Sequence, residues 1–209
     1  MPPRRSRLLR RTVLFAGPLG YIVLGLVHPM GDLEVGDAAG FYIGLHLVQP
    51  FLIALIAYGL WLLVEGLESR AASVVRYALV PYLIVYSMFD AVAGVATGLI
   101  VREANGMTAA DQAAVQRMMD GIGEHPVLVA LWIGAGLSWL IPAVAAALAV
   151  RAQVPGWVTV AMIVGAAIFA VGHPIPPGPI GMSLFLVGIL WLELRGSREP
   201  VPEVAPAAN

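Results

Sequence analysis

The chain has 209 residues, 59% of them hydrophobic and 12% charged, with a formal net charge of −1. So small a charged fraction leaves too little polar surface to cover the apolar content in water, and lipid is the expected solvent for most of the chain. Near-neutral charge excludes a nucleic-acid partner, and the lack of cysteine excludes disulfides, iron–sulfur clusters and thiolate metal sites.

Residues 1–11 are a basic segment carrying Arg4, Arg5, Arg7, Arg10 and Arg11. With the apolar run behind them they resemble the front of a secretory signal, but no small-residue cleavage site follows. The run is therefore read as a retained first helix.

A helix crosses the hydrocarbon layer with about 20 apolar residues, and irregular backbone is excluded there. Six segments qualify: about 12–28, 40–64, 77–101, 126–150, 156–173 and 181–194, the last being short. Between the third and fourth, Thr108 and Asp111 form a capping pattern. Val115, Met118, Met119 and Ile122 then recur at helical spacing, so the loop 107–122 is expected to hold an amphipathic surface helix. The prolines at 174, 176, 177 and 179 are expected to form a short, stiff connection after the fifth span. The Pro- and Ala-rich stretch 196–209 is expected to be a disordered tail.

Placing residues 1–11 in the cytoplasm puts Arg70, Arg76, Arg151, Arg195 and Arg198 there too, and only Arg102 and Arg117 outside. The fold class is thus an all-α integral membrane protein. It has one domain of about six transmembrane helices over 12–195, both termini cytoplasmic, in the plasma (inner) membrane.

On this topology all four histidines fall in the outer half. His28 and His173 end the first and fifth spans, and His125 precedes the fourth. His46 lies about 10 Å inside the second. Three of the four precede proline, so ordinary helix ends account for those three alone. His46 is different: Tyr42, His46 and Gln49 share one helix face inside the hydrocarbon, and Pro50 frees a backbone carbonyl on the preceding turn. Asp90 is the other expensive residue, near mid-span, with Tyr86, Ser87, Gly94 and Thr97 around its face. Such groups face a bundle interior or a wet cavity, and an intramembrane acid is a functional candidate by default. An interhelical hydrogen bond is the bland alternative for both.

Three functional readings stay open. The first is a site made from His28, His46, His125 and His173, holding haem b or a transition metal (Cu or Zn), for redox or metal-assisted chemistry on a small lipophilic or extracytoplasmic ligand. The second is a proton- or cation-coupled transporter or channel that uses Asp90 and His46. The third is a non-catalytic subunit of a homo-oligomer or larger membrane complex, docking a partner through its outer loops. Glycines at 17, 20, 25, 134, 136 and 165 either bring helices close or leave room for a flat cofactor.

Overall fold

The computed structural model describes residues 4–29, 38–172 and 177–195. Those residues are helical almost throughout: α1 Arg4–Val27, α2 Ala39–Leu63, α3 Arg70–Ala104, α4 Ala109–Gly123, α5 Pro126–Val150, α6 Gly156–Gly172 and α7 Pro177–Arg195. Five of them, α1, α2, α3, α5 and α7, are long and apolar enough to cross a membrane, and α6 is an apolar helix of 17 residues. The all-α class and a multi-pass membrane architecture follow. Many large apolar side chains face outward, among them Leu26, Phe51, Tyr77 and Val171, which suits contact with acyl chains.

Several boundaries differ from expectation. Helix α1 starts at Arg4, so the basic residues continue the helix rather than precede it. The last span is longer than the 14 residues expected, because α7 opens at Pro177 and carries Pro179 in its first turn. Proline is tolerated there because the first N–H groups of a helix have no intrahelical partner. Part of the proline run is therefore helix; Pro174 and Pro176, like the tail 196–209, lie outside the described residues.

Helix α3 is not a regular α-helix. Two π segments, Tyr82–Tyr86 and Ala91–Ala96, flank the short α-helical stretch that holds Asp90. The first begins directly after Pro81, whose missing N–H breaks the i→i−4 ladder. In the second, widened turns leave carbonyls that side chains reach. Thr97 Oγ1 donates to the Val92 carbonyl (3.5 Å) and the Tyr42 hydroxyl donates to the Ala93 carbonyl (3.1 Å).

Helix α1 packs on α2 and α7, α2 on α3, α3 on α5, α5 on α6, and α6 on α7. Small residues set the closest approaches: Gly17 and Gly20 receive Ile56 and Leu52, and Gly136 receives the Ala170 carbonyl. Close packing, rather than a cofactor slot, is the use made of these glycines. Trp139 anchors the core, fully buried, with its ring within 6 Å of Tyr82, Phe169 and Phe185 and its Nε1 donating to the Ala166 carbonyl (3.0 Å).

At one end of the bundle Arg10 and Arg11 pair with Glu193 at 3.1 and 3.4 Å, and Arg76 donates to the Val64 and Leu67 carbonyls at the end of α2. His28 follows the far end of α1, 18 residues from Arg10, about 27 Å along a helix axis. The start of α1 and the end of α7 thus share one end of the bundle, and His28 lies at the opposite end.

Candidate functional site

The antiparallel register of α2 and α3 builds the site. Gly98 faces Tyr42 and Ile43, and one turn deeper Gly94 faces His46. A Cβ on Gly94 would fall on the His46 imidazole, so the missing side chain is what lets the ring come this close to α3. His46 is 5% exposed and His28 9% exposed. Their rings meet edge to face, with centroids 5.1 Å apart, and Tyr42 covers both, at 4.2 Å from His46 and 5.3 Å from His28.

Hydrogen bonding sets the tautomers. His46 Nδ1 faces the Tyr42 carbonyl at 2.9 Å, and His28 Nδ1 faces the Pro29 carbonyl at 2.8 Å. A carbonyl only accepts, so each Nδ1 is the N–H donor and each neutral ring keeps its lone pair on Nε2. The two Nε2 atoms face each other at 3.4 Å. Asp90 Oδ1 stands 3.9 Å from His46 Nε2, and the carboxylate is 3% exposed. Three electron-rich atoms thus gather at a place from which water is largely excluded.

The polar character continues below. Gln49 is fully buried, and both of its amide atoms, like Asp90 Oδ2 and the Tyr82 hydroxyl, lack hydrogen-bond partners among the described residues. Extending the register of Gly98 with Tyr42 and Gly94 with His46 puts Gln49 level with Asp90. Tyr86 is buried beneath, stacked on Phe169 and edge-on to Tyr21.

Of the four histidines singled out by sequence, the described residues bring two together. His125 is the exposed N-cap of α5, where its Nδ1 accepts from the Val127 N–H at 3.3 Å. His173 lies outside the described residues. Tyr42 and Asp90 join the pair, Gln49 lies a turn below, and Thr97 lines a neighbouring cavity. Among the described residues no group of three or more His, Asp or Glu is already gathered as a metal-binding set. Two features carried little sequence signal: the seat at Gly94, and the π segments beside Asp90. Pro81 was the visible cue for the first of those segments.

A b-type haem does not fit between His28 and His46. Two ligands on opposite faces of one iron stand two metal–nitrogen bonds apart, about 4 Å, with an open plane between them. Here the nitrogens are 3.4 Å apart and the rings meet edge to face. No protein-family model, curated protein or solved structure matches the chain.

Proposed function

We propose that this is a six-span membrane protein, with both ends in the cytoplasm, that binds a divalent transition-metal ion near its outer face through the Nε2 atoms of His28 and His46. The observation that carries this reading is the 3.4 Å approach of the two Nε2 atoms, each ring having its Nδ1 against a backbone carbonyl. Metal-bound histidines are oriented in this way, because the second nitrogen's bond sets both tautomer and ring angle. The spacing agrees: bonds of about 2.05 Å to a shared ion give a 3.4 Å nitrogen separation at an N–metal–N angle of about 112°, close to tetrahedral.

Asp90 is the nearest carboxylate and supplies counter-charge, and as a ligand it would complete two nitrogens with an oxygen. A nitrogen–oxygen donor set favours Zn2+ or Cu2+ over Cu+, which prefers thioethers. His173 remains a sequence candidate for a further ligand.

Elemental analysis of the purified protein tests this reading. Wild type is expected to retain about one Zn2+ or Cu2+ per chain, and His28→Ala and His46→Ala to lose it. His125→Ala is expected to keep the metal and to cost about 1 kcal/mol of stability as a lost helix cap. A wild-type protein that retains no metal after Zn2+ or Cu2+ loading refutes the proposal.

A second reading rests on proton counting. Three contacts, two to carbonyls and one between the rings, each call for a proton, and two neutral imidazoles supply only two. Without metal, a third proton between the rings makes the pair cationic beside Asp90, as a proton carrier would need. Proton flux in vesicles that Asp90→Asn abolishes, in a metal-free preparation, supports this reading over the first.

A further inference from the structure

A cavity of about 490 Å³ lies between α3, α4 and the start of α5, next to the histidine pair and outside it. Its walls include Thr97, Ile100 and Leu128, with Asp120 and Glu124 on the α4 side and no basic side chain among the described lining residues. One residue belongs to both places. Tyr42 lines the cavity, and the same ring packs on the imidazoles of His46 and His28.

We infer that this cavity is the entry route for the cation that the histidine pair takes, and that the Tyr42 ring is the movable partition between them. The inference rests on the proposed metal site for its ligand class, a divalent cation, while the route itself stands on geometry. Tyr42 is only half-buried, and its hydroxyl is tied to the carbonyl of Ala93, another cavity-lining residue. Ala93 lies in the π segment Ala91–Ala96, next to Gly94, on which the His46 ring rests. Single-turn π insertions recur at functional sites because they present backbone groups that a regular helix would bind internally. Here the presented carbonyl holds the partition closed. Rotation of this one side chain, with its contacts released, would join the cavity to the nitrogens. Carboxylates on one wall, with no basic residue among the described lining, raise the local concentration of cations at the entrance.

The test uses the full chain in detergent micelles and the reactivity of its own histidines. Diethyl pyrocarbonate modification of His46, followed by peptide mass spectrometry, is expected to be slow in wild type and at least about tenfold faster in Tyr42→Ala. Tyr42→Phe keeps the ring and loses the tether, and is expected to fall between the two. Adding Thr97→Trp to Tyr42→Ala puts back, on the cavity wall, about the side-chain volume that the alanine removed, and should return His46 to slow modification. Exposed His125 provides the internal reference, with one rate throughout. A His46 rate unchanged by Tyr42→Ala, or a rise that Thr97→Trp does not reverse, overturns the route.

A second arm follows Zn2+ uptake. Asp120→Asn with Glu124→Gln should slow it several-fold at low salt and leave the final amount bound unchanged. Equal uptake rates would remove the carboxylates from the route. A wild-type chain that binds no Zn2+ refutes the metal reading, and the histidine-modification arm still decides the route.

Discussion

Gly94→Ala is expected to destabilise the protein by about 1–3 kcal/mol and to abolish metal retention, although it adds a single methyl group to a helix. The added carbon would fall on the His46 ring, which is held from its other side by the Tyr42 ring and the bond to the Tyr42 carbonyl. The sign should reverse when the ring is removed. In a His46→Ala background nothing opposes the methyl, and replacing a helical glycine by alanine stabilises by about 0.5–1 kcal/mol. A double-mutant cycle in micelles, read by reversible unfolding, measures that coupling. An equal cost of Gly94→Ala in both backgrounds would show that the ring does not rest on this glycine.

The second large effect is expected where α6 meets α7. Gly165 and Gly181 pack into each other's backbone: a Cβ at Gly165 would lie 2.5 Å from the Gly181 carbonyl oxygen and 2.8 Å from the Phe185 nitrogen. Backbone atoms have no rotamer by which to yield, so Gly165→Val must separate the helices. A cost of about 3 kcal/mol or more is expected, with loss of most folded protein. In lipid this penalty is felt in full, because association between helices depends on close packing rather than on expulsion of water. Gly44→Ala is the control: nothing lies within 4 Å of its Cβ position, so it should be neutral or slightly stabilising. Monodisperse yield in detergent and the unfolding midpoint distinguish these outcomes. A Gly165→Val protein with wild-type yield and midpoint would contradict the contact.

Much of this molecule is legible in the order of its residues. Runs of about 20 apolar side chains can only be satisfied as helices in lipid, so α2 and α5 appear in the sequence almost at their observed bounds. Thr108 announces the start of α4 because a side-chain oxygen must serve the first free N–H groups, and it accepts from the Asp111 N–H. The cost of His46 and Asp90 in hydrocarbon is likewise a property of the residues, and it marks both as belonging to an interior.

What the order of residues left open was which polar groups meet. His28, His125 and His173 looked alike as residues at helix ends before a proline, yet His125 caps a helix in the open while His28 is folded against His46, 18 positions away in the chain. That pairing depends on the packing of α1 on α2 and on the absence of a side chain at Gly94 of α3, and no local pattern encodes either. The widened turns beside Asp90 likewise become useful only when Tyr42 of another helix reaches the Ala93 carbonyl. Solvation free energy is additive along a chain and can be read residue by residue. Which rings meet is set by contacts between helices, so only the tertiary structure brought two imidazole nitrogens to 3.4 Å from each other.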